Sequence, residues 1–165
     1  MIEIESGKAG HPGLATLEPS DGELVIRLFH RLSRETVYRR FFSPIARPEQ
    51  FAAALLRADT RERHAVAAVE DGEIVGVAQY SRTPGSPQAE LAIVVADDWQ
   101  RQGLGTRMVA ALGDRAQRAG ITAFAVDVQG DNYGALRLLG RVAPGLRLAF
   151  SGGVGEGAFP IQASQ

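Results

Sequence analysis

The chain contains no cysteine, which removes disulfides, Cys-ligated zinc, iron–sulfur clusters and a thiol nucleophile at one stroke. Any catalysis has to come from other groups. Long apolar runs are missing too: Leu91 to Ala96, as long as any, is six residues, where a membrane-spanning helix needs about 20. No charge of one sign dominates, since Lys plus Arg is 18 against 19 Asp plus Glu, a net charge of -1. The overall charge therefore asks for neither nucleic acid nor an anionic membrane as partner. His11, His30 and His64 lie 19 and 34 residues apart, without the close helical spacing of local metal motifs, and no metal is expected. The amino end, Met1 to Gly10, holds Glu3 and Glu5 and no apolar run, so a soluble, cytoplasmic protein is expected.

What is present is a chain of 165 residues, 45% hydrophobic and 22% charged, enough apolar material to exclude wholesale disorder. Cores usually divide only beyond roughly 250 residues, so one domain is expected, with its core over about residues 13–150 and residues 151–165 as a C-terminal strand or tail.

Periodicity predicts the elements. Gly13 to Glu18 reads as a short strand. Ser20 and Glu23 fit a capping box for a helix carrying Leu24, Val25, Leu28, Phe29 and Leu32 on one side and ending near Ser33. Ser33 caps a second helix, Arg34 to Arg40, that stops at Ser43-Pro44. A third runs from Pro48 to Ala58. Ala65 to Val69, Asp71-Gly72 and Ile74 to Tyr80 spell a hairpin, and Ala89 to Ala96 is the strongest strand, expected to be central. Helix follows from Gly103 to Ala119, closed by Gly120, then a strand over Ile121 to Val128 and a helix over Asp131 to Arg141. Leu146 to Phe150 and Ala158 to Gln162 read as last strands around the glycine-rich stretch Ser151 to Gly157, itself a hairpin loop or a tail. This order is neither a regular βαβ alternation nor all-β; it predicts an α/β protein with a mixed sheet and helices on its faces.

The chemically informative stretch is the strand, short loop and glycine-containing helix start from Ala89 to Thr106. The first N–H groups of a helix lack intrahelical partners and carry the positive end of its dipole, so they can hold a phosphate, and Arg101 can add charge. Gly103 and Gly105 form neither the G-x-G-x-x-G dinucleotide fingerprint nor a Walker loop; by themselves they also fit a mere tight entry into a helix.

Gln100, Gly103 and Gly105, directly after the fourth strand, match the signature Q/R-x-x-G-x-G/A of the GNAT superfamily of N-acetyltransferases, which the chain resembles from Gly13 to about Phe150. Asn132 and Ala135 stand where that family places an N-x-x-A helix start. The segment from Arg31 to Pro44, with Leu32-Ser33, Glu35, Tyr38 and Arg40-Phe41-Phe42-Ser43, is similar to one in bacterial protein lysine acetyltransferases of the Pat type, as is the strand beginning Ala89-Glu90. The resemblance implies a mostly antiparallel mixed sheet with helices on both faces, splayed between strands four and five. It implies acetyl-CoA as co-substrate and direct transfer to an amine, here a lysine of an acceptor protein such as an acyl-CoA synthetase. A small amine is the alternative acceptor, and a silent acetyl-CoA-sensing module the alternative to an enzyme. The protein is expected to be a monomer or homodimer.

Carried over residue by residue, the backbone of Val94 and Val95 faces the pantetheine arm, the loop Gln100, Arg101, Gln102, Gly103, Leu104, Gly105 and Thr106 cradles the pyrophosphate, Asn132 meets the cofactor from the far side, and Glu90 is the general base. Strand alternation places Glu90 with Ala92 and Val94, where partial burial would raise its pKa toward the range suited to a base. A lysine near 10.4 in water needs about 4.6 kcal/mol to be neutral at pH 7. One departure is clear: many relatives carry a tyrosine as general acid where this chain has Leu139, and Tyr133 falls on another face of the helix, so the acid is unassigned. Tyr38 to Phe42 reads either as an acceptor-site lining or as aromatics packed into the core with Arg39 and Arg40 solvated, and the core reading is preferred. Trp99 likewise reads as packing. Lys8 is the only lysine among 18 basic residues, which would spare a lysine acetyltransferase from modifying itself, although an arginine-favouring genome explains the bias more simply.

Overall fold

Apolar residues two apart alternate with those three and four apart along the chain, and the elements follow that pattern: β1 (Gly13–Thr16), α1 (Gly22–Arg31), α2 (Arg34–Phe41), α3 (Pro48–Leu55), β2 (Arg63–Glu70), β3 (Glu73–Ser81), β4 (Gln88–Val95), α4 (Leu104–Arg118), β5 (Ala123–Gln129), α5 (Tyr133–Val142), β6 (Ala149–Ser151) and β7 (Val154–Pro160). The structure, a computed structural model, describes residues 11–41, 47–57 and 60–162. The strands form one sheet in the order β1-β2-β3-β4-β5-β7-β6, antiparallel throughout except for the parallel pair β4–β5. β4 is therefore central, as its composition predicts.

Each sheet face carries its own core. On one, Leu104, Met108 and Leu112 of α4 lie against Tyr80, Leu91 and Phe124. On the other, Val25 and Leu28 of α1 and Phe51 and Leu55 of α3 cover Ala67, Ile74, Val77 and Val94. Burying a Leu, Phe or Met side chain of this kind contributes about 1.5–3 kcal/mol, so the two layers hold the sheet from both sides. Residues 89 and 91 of β4 join the first core and Val94 and Ala96 the second, the two-residue alternation expected of a half-buried strand.

Local chemistry sets several boundaries. Asp71 and Gly72 both have positive φ, 50° and 77°, the geometry of a two-residue hairpin whose twist matches its strands. The expected Ser20–Glu23 capping box is replaced by one three residues long in the same sense but two positions earlier, Glu18 with Asp21, closed in part by Glu18 N–H donating to Asp21 Oδ2 at 2.8 Å. Proline at the first position of this 3-10 turn starts the helix early. Ser33 does cap α2, its Oγ accepting from Thr36 N–H at 3.1 Å. The predicted stop at Ser43-Pro44 and the predicted last residue of α3, Ala58, lie outside the described residues.

The glycine-rich stretch is a hairpin, not a tail: β6 and β7 pair across Gly152 and Gly153. A Cβ on Gly155 would lie 2.9 Å from the Phe150 ring and one on Gly157 2.9 Å from Leu148 Cδ2 and 3.0 Å from the Arg147 carbonyl. The strand is glycine-rich because the preceding segment folds back over it. No described helix is long and apolar enough to cross a membrane.

Candidate active site

β4 and β5 pair only at Gln88–Ala123, Ala89–Phe124 and Glu90–Ala125; past Glu90 the two strands part. Backbone N–H and C=O groups along that edge of β4 lose their ladder partners and must find others. One of them is met by a side chain of the following loop, since Gln100 Nε2 donates to the Val95 carbonyl at 3.0 Å.

The opening is a cleft of about 380 Å³, walled by Ile93, Val94 and Val95, by the turn from Trp99 to Thr106, by the start of α5 and by α2. Arg39 and Arg40 reach it from α2, Arg101 from the loop, and Arg137 and Arg141 from one side of α5; no carboxylate lines it among the described residues. Burial pushes the Arg40 guanidinium below the usual arginine range. Arg101 and Gly103 take positive φ, 64° and 79°, which turns the chain sharply into α4 and presents the helix N-terminus to the cleft. Five arginines and a helix N-terminus bordering one space suit it to an anion, with apolar walls toward β4.

The loop is fastened to α2. Asp97 Oδ1 accepts from Ser33 N–H at 3.1 Å and from Thr36 Oγ1 at 3.2 Å, and Gln100 Nε2 donates to Thr36 Oγ1 at 3.3 Å. Burial alone would raise the Asp97 carboxyl, but the hydrogen bonds from Ser33 and Thr36 outweigh it and hold it below the usual aspartate range. Across the cleft, Arg39 pairs with Glu35 at 2.5 Å and donates to the Asp131 carbonyl at 3.4 Å. Asn132 Oδ1 accepts from Ala135 N–H at 3.1 Å, so the N-x-x-A pattern is an N-cap that orients α5 toward the cleft.

Of the residues singled out in the sequence, Val94, Val95, Gln100, Arg101, Gly103, Leu104, Gly105, Thr106 and Asn132 meet on the wall of this one cleft. Gln102 is not on that wall; its amide turns away to the Asp98 carbonyl at 3.2 Å. Glu90 stands at the fork itself and is exposed rather than partly buried, because the helices on its side cover β1–β3 and the end of β4 instead. Asp127 and Glu156, paired directly across β5 and β7, are exposed as well. Leu139, buried in the core, carries no acidic proton, and Tyr133, 65% exposed, is not among the residues that wall the cleft.

Sequence reasoning missed the arginines that α2 and α5 bring to the cleft. Tyr38 is 46% exposed rather than core, and Arg39 and Arg40 are half-buried in the cleft rather than solvated; the Phe41 side chain and Phe42 lie outside the described residues. The i,i+4 spacing of Arg137 and Arg141 was a signal available in the sequence, though it says nothing of what the pair faces. Trp99 packs against both cores and also lines the cleft.

Residues 27–143 match the acetyltransferase (GNAT) family. The chain belongs to the GNAT acetyltransferases. It is 28% identical over 144 residues, 86% of its length, to the acetyltransferase Pat of Mycolicibacterium smegmatis, of which that match spans 43%; the chain thus accounts for less than half of that relative. The fold is shared with the GNAT domain of S. lividans PAT, with a TM-score of 0.82 at 22% identity over 90% of both chains. It is also shared with a Salmonella typhimurium structure solved with its cofactor acetyl-CoA, with a TM-score of 0.71 at 14% identity over 92% of this chain and 94% of that one. GNAT acetyltransferases use acetyl-CoA as co-substrate.

Proposed function

We propose that this acetyltransferase modifies the side-chain amine of a lysine on an acceptor protein, by direct transfer with Glu90 as general base. Bound in the cleft, acetyl-CoA supplies an acetyl group activated as a thioester. The residues present fit it: the arginines and the N-terminal turn of α4, with Gln100, Arg101, Gly103, Leu104, Gly105 and Thr106, suit its phosphates, and Asn132 lines the far side. The unpaired edge of β4 at Val94 and Val95 offers peptide groups to its amide-containing arm. Gln102, which is off the cleft wall, takes no part in that set.

The observation that carries the reading is the place of Glu90, the last β4 residue paired to β5 before the strands part. A carboxylate there stands at the fork, just short of the Ile93–Val95 wall of the cleft, where an amine arriving from the open sheet face meets it. It attracts the acceptor ammonium and accepts its proton, directly or through one water, as the nitrogen becomes a nucleophile. No enzyme nucleophile is needed, in keeping with the absence of cysteine. The exposure of Glu90, Asp127 and Glu156 supports an acceptor presented on a macromolecule over a small amine held in an enclosed pocket. The resemblance of the Arg31 to Pro44 segment to Pat-type enzymes makes an acyl-CoA synthetase one of the acceptors to be tried.

The test is transfer of labelled acetyl to a soluble proteome and, separately, to a panel of small amines, by wild type and Glu90→Gln. Protein labelling that falls by on the order of a hundredfold in the variant, with acetyl-CoA affinity retained, is the expected result. Labelling confined to small amines, or equal labelling by the variant, would overturn it.

A further inference from the structure

A second cavity, of about 120 Å³, opens on the face of the sheet that carries Glu90, between α3 and the ends of β1–β3. Arg57, Arg63, His64, Thr16, Gln79 and Ser81 supply its polar lining. The volume corresponds to roughly four water molecules, enough for a carboxylate-tipped side chain. Arg57 and Arg63 are exposed, and among the described residues no carboxylate pairs with either. His64, next along the strand from Arg63, turns its ring to the opposite face of the sheet, buried with its centroid 6.1 Å from that of Tyr80, and meets the cavity through its backbone.

Its position relative to Glu90 follows from strand register. Arg63 is directly opposite Ser81, and Ser81 directly opposite Glu90, so the three side chains form one row across three neighbouring strands on a single face. Two strand spacings separate Arg63 from Glu90, about 10 Å. Beyond Glu90 the same face turns acidic, at Asp127 and Glu156. The face is therefore graded from guanidinium on the β2 side to carboxylate on the β5–β7 side, with the fork between.

We infer that this cavity binds a carboxylate of the acceptor, so that the preferred acceptor amine has a carboxylate about 10 Å away. Planar guanidinium groups recognise carboxylates through paired N–H donors, and the acidic side of the row favours the ammonium end of the same molecule. The acceptor is thus held at two points and in one orientation. This rests on the assignment of Glu90 as the place where the amine reacts.

Two matched pairs of acceptors test it. The first is a single-lysine peptide with glutamate or glutamine two residues from the lysine; the second is Nα-acetyl-lysine against Nα-acetyl-lysinamide. Wild type should favour the carboxylate member by about tenfold in kcat/KM, and Arg63→Gln and Arg57→Gln should bring that ratio toward one while acetyl-CoA affinity reports an intact fold. Preference within the peptide pair identifies an acidic side chain of an acceptor protein, and preference within the second pair alone identifies a small amino acid; both support the cavity. No preference in either pair, or one that persists in both variants, overturns the inference. If no acceptor is acetylated although acetyl-CoA binds, the transfer reading fails by itself. The cavity is then decided by titrating the protein with Nα-acetylglutamate: shifts of the Gln79 side-chain amide signals that vanish in Arg63→Gln support it, and unmoved signals overturn it.

Discussion

Gly103 and Gly105 stand two apart in one helix entry, yet their surroundings make different demands. Gly103 has φ 79° and nothing within 4 Å of where a Cβ would sit, so its constraint is the left-handed backbone alone. Gly103→Ala should lower stability by about 1 kcal/mol through that strain, read as a shift in the denaturant midpoint at unchanged slope. A Cβ on Gly105 would lie 2.9 Å from Leu138 Cδ2, and Leu138 lines the cleft. Gly105→Ala should therefore move that flexible side chain and weaken acetyl-CoA binding several-fold, an effect of small-to-large change. Equal donor affinity for wild type and Gly105→Ala in a binding titration would show that Leu138 yields away from the cleft. Both glycines were legible in the sequence, but only as a pair; a φ angle and a neighbour from another helix separate their roles.

At the scale of elements, α2 matters most for the site and was the least legible. Arg39 and Arg40 were expected in solvent, whereas Asp97 and Gln100 fasten the first turn of α2 to the β4–α4 loop and Arg39 bridges to the Asp131 carbonyl. The Asp97 carboxyl is held below its ordinary range in the folded chain. Its contribution to stability is then present above the unfolded value of about 3.9 and disappears as pH falls through the lower folded value. Asp97→Asn should melt below wild type at pH 6–7, with the gap closing below about pH 4. A gap that stays constant across a series of thermal melts down to about pH 2.5 would remove Asp97 as the titrating tether. The helices with strong apolar stripes, α1 and α4, were plainly legible, because one-sided burial against a sheet imposes a pattern that three- and four-residue spacing records.

For the molecule as a whole, the arginines are distributed unevenly: near-neutral overall, it gathers five of them around the cleft. Attraction of a polyanionic co-substrate into such a site should be sensitive to ionic strength. Replacing Arg137 and Arg141 together with glutamine should weaken acetyl-CoA binding on the order of tenfold at low salt and flatten the dependence of affinity on salt concentration. Binding that is equally salt-sensitive in the double variant would place the attraction with Arg39, Arg40 and Arg101 instead.

The sequence by itself determined the order of elements, the hairpin at Asp71-Gly72, the centrality of β4 and the glycine-bearing entry to α4. All of these rest on interactions within a few residues, where periodicity, capping and φ requirements are written directly. Only the tertiary structure decided that Glu90 is exposed at the fork, that Gln102 turns away from the cleft, that α2 and α5 bring arginines to one space, and that Arg63, Ser81 and Glu90 share a row. Those facts depend on strand register and on which helix covers which part of the sheet, and residues far apart in the chain carry no local mark of the neighbours they will meet.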